Sequence, residues 1–263
     1  GATEFGRPSL AGVNLSGTDL TEAAIDLRRQ SLTTTTLTGT RLTGMNLTGS
    51  DLTGLDLRGA QLQTANLSGA NLSRVILNRA NLQGANLTRS ILTAATLAEA
   101  NLTEASLSGA ELTGTVLKAV ILADAKVAGT NVSVALPDLA TVDLSGADLT
   151  GSNLSRLNLS EADLREAILT TTNFSGADLQ EANLSATNAS RAALPTADLR
   201  SANLANANLS YADLSGARLA QSNLSGATLA NARLAGIDLR QVELNQITGT
   251  LAGVALRLAN LLG

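Results

Sequence analysis

A chain of 263 residues could hold one or two ordinary domains, but its composition removes most of the chemistry such domains perform. It has no cysteine and no histidine, so disulfides, thiol nucleophiles, the usual zinc ligand sets and imidazole bases are unavailable. The net charge of −4 has the wrong sign for a phosphate-binding surface, so no direct nucleic-acid contact is expected.

The first five residues, Gly1-Ala2-Thr3-Glu4-Phe5, read as a cloning or protease-site scar. No targeting signal is visible beside it, so the compartment stays open, with the cytoplasm expected for a soluble chain. From Leu10 a leucine recurs every fifth residue through Leu15 and Leu20, followed by a jump of seven to Leu27. Steps of five then run through 22 central positions from Leu27 to Val132. A second jump of seven reaches Leu139, and 22 more central positions run to Leu244. A third jump leads to Leu251, Leu256 and Leu261, after which only Leu262 and Gly263 remain. Every central residue is leucine except Val127, Val132, Phe174 and Ala189. The jumps fall 112 residues apart, and Gly17-Thr18-Asp19-Leu20 matches Gly129-Thr130-Asn131-Val132, so the chain reads as a 112-residue duplication. Two extra residues do not fit a segment whose neighbours are fixed, so 21–26, 133–138 and 245–250 are expected to bulge.

The repeating unit is shown by Ala65-Asn66-Leu67-Ser68-Gly69: a small residue, Asn or Asp, the central leucine, Ser or Thr, then Gly or a charged residue. On an α-helix, steps of five advance about 140° net, so the leucines would form no stripe. In an extended segment residues two apart share a face, which brings Ala65 and Leu67 to the same side. Ala70 lies three beyond Leu67 and returns to that side only if the chain bends once per unit, at the Ser-Gly pair. The chain must therefore coil around an axis with leucines and small residues inside, and each unit can bury its apolar face only by stacking on others.

Tandem units such as Ala147-Asp148-Leu149, Ala177-Asp178-Leu179, Ala202-Asn203-Leu204 and Ala212-Asp213-Leu214 resemble the pentapeptide-repeat family, whose motif is A-[D/N]-L-x-x. The resemblance covers nearly the whole chain and implies an all-β fold, a right-handed quadrilateral parallel β-helix. With four pentads per coil and coils about 4.8 Å apart, residues 1–263 would form a single solenoid of about 13 coils. It also implies a non-enzymatic structural or protein-interaction rod of the kind abundant in cyanobacteria and other bacteria. The alternative, carried by one branch of the family, is a DNA-mimicking inhibitor or protector of DNA gyrase. The moderate charge and a C-terminus that continues the repeat both depart from that branch.

The candidate interaction residues fall in two groups. Val134, Leu136, Pro137 and Asp138 occupy the middle register break, apolar and stiffened by proline, where a bulge would meet a partner. Asp143, Asp148, Asp163 and Asp178 lie in the window 138–181, where eight acidic residues face two arginines and a basic protein groove would be attracted. These aspartates precede central leucines, where Asn, Ser and Thr also occur, so backbone bonding explains them better than metal or acid–base work. No cofactor and no metal are expected. A glycan- or metal-dependent enzyme needs convergent acids beside aromatic platforms or histidine, which are missing. The longest apolar run, Ala119 to Ala123, is far short of the ~18 residues that span a membrane, so no membrane insertion is expected. A repeat that runs to Leu261 without a polar cap is expected to associate end to end or to continue in a longer protein.

Overall fold

In a computed structural model of the chain, the described residues are 10–21, 27, 32, 35–128, 130, 139–237 and 242. Each pentad forms one side of a four-sided coil. The residue before the central leucine makes a single-residue parallel bridge to its counterpart in the next coil, as Asn66 does to Asn86. The leucine's own N–H reaches across coils: Leu67 donates to the Asn86 carbonyl at 2.7 Å, and Asn86 donates back to the Ala65 carbonyl at 2.9 Å.

Four bridge columns define four walls. The first carries Thr36, Asp56, Ile76, Thr96 and Val116, then Asn158, Asp178, Asp198 and Arg218. The second runs unbroken from Asp19 through Arg41, Asn101, Ile121, Asp143 and Asp163 to Asn223, which makes eleven stacked coils among the described residues. The third includes Asn66, Lys126, Asp148, Ile168 and Asn188, and the fourth Asn71, Ile91, Glu111, Asn173, Asp213 and Arg233.

A tight turn makes each corner among the described residues. The Ala70 N–H donates to the Leu67 carbonyl at 3.0 Å, and Gly69, the third residue of the turn, has φ 63° while Ser68 stays on the ordinary side. Positive φ at the third position alone is the type II pattern. Glycine suits it best, yet 23 non-glycine residues among those described, Arg74 and Glu161 included, also take this conformation. The preceding Asn or Asp locks the turn: Asn66 Oδ1 accepts the Ser68 N–H at 3.1 Å, and Asp148 Oδ1 accepts the Thr150 N–H at 3.0 Å. Only one side-chain oxygen is used, which is why Asn and Asp alternate freely.

Inside, Ala65, Leu67, Ala70 and Leu72 are fully buried, and the same alternation of small residue and leucine continues up the rod. Phe174 fills a central position of the fourth wall with no exposure, and Ala189 is buried three pentads later on the adjoining third wall. Six of the ten buried inward hydroxyls among the described residues bond to backbone carbonyls of the coil below, as Thr172 Oγ1 does to Leu149 at 2.7 Å. Ser50 Oγ and Ser90 Oγ are buried without a partner. The axial void between Leu102 and Leu154 measures about 10 Å³, has only apolar walls, and is too small to serve a ligand.

The register breaks leave the stacking intact where the structure describes it. Ordinary bridges join residues 20 apart, but Asp19 to Arg41 and Ile121 to Asp143 are 22 apart. Their ladder bonds have ordinary lengths, with Leu122 N–H to the Asp143 carbonyl at 2.8 Å. The insertions shift numbering without shifting columns. Most of the segments expected to bulge (residues 22–26, 133–138 and 245–250) lie outside the described residues.

Candidate interaction wall

The column order decides which charges meet. Asp143 and Asp163 stack directly on the second wall. Asp148 sits on the third wall and Asp178 on the first, so the four aspartates of the acidic window do not form one group. Val134, Leu136, Pro137 and Asp138 lie outside the described residues. Corner residues complete the second wall. The chain enters it over a corner that holds Glu99, Glu161 and Glu181, and leaves over a corner that holds Glu104, Asp124 and Glu166, all exposed and all at positive φ. Eight carboxylates therefore line coils from Glu99 to Glu181, with Lys118 and Arg165 as the basic residues among them.

Glu99, Glu104 and Asp124 were not singled out from the sequence, because they precede the middle register break and look distant from Asp143. The signal was present in the numbering: residues 22 apart across the break occupy one column. Gly146 shows how closely the two halves stack, since a Cβ there would meet the Asp124 carboxylate.

Local chemistry does not consume this charge. Arg165 grips Asp163 through Nη2 at 2.6 Å, which holds that carboxyl below its ordinary range although desolvation acts the other way. Arg79 binds Glu99 at 2.8 Å with the same effect. Glu104, Asp124, Glu161, Glu166 and Glu181 form no salt bridge among the described residues. Ile121, which is 39% exposed, interrupts the wall with an apolar contact point.

The opposite wall carries arginines at its corners, with Asp51, Glu111 and Asp213 on its face. The fourth wall is entered over a corner carrying Arg89, Arg191 and Tyr211 and left over one carrying Arg74 and Arg156. Arg233 lies on the wall itself, 3.3 Å from Asp213. Tyr211 is 57% exposed, and the Arg191 guanidinium lies 5.8 Å from its ring centre. Among the described residues no three acidic side chains converge on a metal site, and no helix is long and apolar enough to cross a membrane.

The family model for pentapeptide repeats matches this chain in successive blocks from 24–54 to 207–246. Among solved structures, HetL, a pentapeptide repeat protein involved in heterocyst differentiation regulation from the cyanobacterium Nostoc sp. strain PCC 7120, is 31% identical. That match covers 85% of each chain with a TM-score of 0.38. Rfr23, a pentapeptide repeat protein from the cyanobacterium Cyanothece 51142, is 34% identical over 45% of this chain and 63% of its own, with a TM-score of 0.20. Full-length QnrB1, a plasmid-mediated fluoroquinolone resistance protein, is 17% identical over 82% of this chain and 91% of its own, with a TM-score of 0.32. A search of curated protein sequences returned no match.

Proposed function

We propose that this chain, which belongs to the pentapeptide-repeat family and has its right-handed quadrilateral β-helix, works as a non-enzymatic interaction rod that offers its second wall to a basic protein surface. The observation that carries the reading is the placement of six carboxylates at corners where L-residues are strained. A left-handed residue costs about 1–2 kcal/mol relative to glycine, and at five of these corners no salt bridge offsets it. Stability alone would favour glycine there. A rigid row of unpaired acids on a flat wall instead attracts and orients a cationic partner.

The test uses a lysine-rich peptide and fluorescence anisotropy. Neutralising Glu104, Asp124, Glu161 and Glu166 to their amides should weaken binding about tenfold, as expected for four exposed pairs worth a few tenths of a kcal/mol each. Neutralising Asp51, Asp56, Glu111 and Asp213 changes the net charge equally and should have little effect. Equal losses from both sets would leave only general charge and sink the assignment of the wall. The gyrase alternative draws on the same acids, but duplex DNA is anionic all round whereas this rod carries arginines opposite them. A supercoiling assay with DNA gyrase decides between them: relief of quinolone inhibition would favour the mimic.

A further inference from the structure

We propose that the second wall also docks onto the fourth wall of a second copy of this chain, so that rods associate side by side. The inference rests on the reading of the second wall as a docking surface and adds an occupant for it. Charge complementarity is the first support: carboxylates crowd one wall, and on the wall directly opposite Arg74, Arg89, Arg156, Arg191 and Arg233 outnumber Asp51, Glu111 and Asp213. Pitch is the second. Any copy repeats the coil spacing of about 4.8 Å, so a match at one coil is kept along the rod.

The arrangement can be specified further. When two walls face each other with antiparallel axes, their chain directions coincide, and the entry corner of one meets the entry corner of the other. In the register that sets Tyr211 beside Ile121, Arg233 falls in the coil of Glu99 and Glu104. Arg191 then lies one coil from Glu161, and Arg156 one coil from Glu166, within the reach of an arginine side chain. The contact gains an apolar centre, the exposed Tyr211 against the exposed Ile121, ringed by ion pairs, with Tyr and Arg as the anchor types enriched in interface centres. Because each rod still has a free acidic wall on one flank and a free basic wall on the other, the contact does not close and assembly is open-ended.

Sedimentation as a function of salt tests this. Lowering salt from about 1 M to about 0.01 M lengthens the screening distance from ~3 to ~30 Å. The weight-average mass should then rise at least about twofold above the 26.7 kDa monomer, although the net charge of −4 alone predicts repulsion. The variant Glu161→Arg/Glu166→Arg, which turns the pairs with Arg191 and Arg156 into repulsions, should stay monomeric. So should Arg156→Glu/Arg191→Glu, which sets acids against those same glutamates. An equimolar mixture of the two should associate again. Should either pair unfold, the glycine variants Glu161→Gly/Glu166→Gly and Arg156→Gly/Arg191→Gly suit the same backbone, and each should lower the low-salt mass. A wild-type mass indifferent to salt, or association that survives both charge reversals as end-to-end stacking would, overturns the proposal. Wild-type rods that bind the lysine peptide yet remain monomeric at low salt overturn self-docking alone and leave the partner-docking reading standing.

Discussion

Replacing Ser90 by alanine should stabilise the rod, an unusual sign for a buried substitution. Ser90 Oγ is fully buried on the inner side of the fourth wall and has no hydrogen-bond partner, while Ala70 and Ala110 take the same place in the coils below and above. A buried hydroxyl without a partner forfeits about 1–3 kcal/mol of hydration, so its removal should gain about 1 kcal/mol after the small loss of packing. Ser50 is in the same state two coils lower, and the double variant should gain about twice as much, because the sites share no partner. Thr172→Val tests the same column with the opposite sign: its hydroxyl donates to the Leu149 carbonyl at 2.7 Å, and the isosteric change should cost about 0.5–1.5 kcal/mol. Urea midpoints at unchanged slope provide the measurement. If Ser90 instead donates to the carbonyl three residues back, as Ser222 does to Leu219 at 2.7 Å, alanine will be neutral or destabilising and the reasoning fails.

Leu87→Ala, at a fully buried central position, should cost roughly 2–5 kcal/mol in the same urea assay, because the neighbouring coils are too rigid to close over the gap. Asp148→Asn should change stability by less than about 0.5 kcal/mol, since the amide oxygen can accept the Thr150 N–H as the carboxylate does; a large loss there would reopen a functional role for the acid. Acid should weaken the rod with a defined sign. The Arg58 and Arg165 bonds depress Asp56 and Asp163, and at Asp198 burial pushes upward but the Arg200 and Arg218 bonds prevail. Each folded value lies below the unfolded ~3.9, so the stabilisation is present above that pH and fades as pH falls through the folded value. The penalty of Asp198→Asn, about 1 kcal/mol or less for so exposed a pair, should therefore shrink in acid; a penalty constant from pH ~7 to ~2 would refute the linkage.

The core of this fold is legible because period and burial are the same fact. A leucine every fifth residue with a small residue two before it reappears in space as the fully buried pairs Ala65–Leu67 and Ala162–Leu164. Even the exceptions obey it, since Phe174 and Ala189 are both inward. The interaction wall was only half legible. A window along the chain groups Asp143 with Asp148 and Asp178, whereas the coil sends these to three different walls. The partners of Asp143 are residues one coil away, and the 22-residue step across the break hides Asp124 and Glu104 from any search at a fixed period of 20. Burial follows the pentad, but surface chemistry follows the coil.

Corners are where such a chain is free to vary. Central leucines answer to packing, inward small residues to the narrow core, and wall Asn and Asp to the turn they lock. The residue at positive φ points into solvent and touches little, so its only strong local preference is for glycine. Where the sequence declines glycine, it accepts backbone strain for a side chain that the fold does not require. On the second wall that side chain is repeatedly a carboxylate, and at the edges of the fourth it is repeatedly an arginine, with Tyr211 the one aromatic residue among these corners. Charged corners are acidic along the second wall except at Arg79 and basic along the fourth, a bias kept across a register break that displaces the numbering by two and the mark of a surface with two distinct sides. Substituting glycine at Glu161 and at Arg191 should therefore stabilise each coil by up to about 1–2 kcal/mol while weakening docking, and a loss of stability in both would show that these corners serve the fold after all.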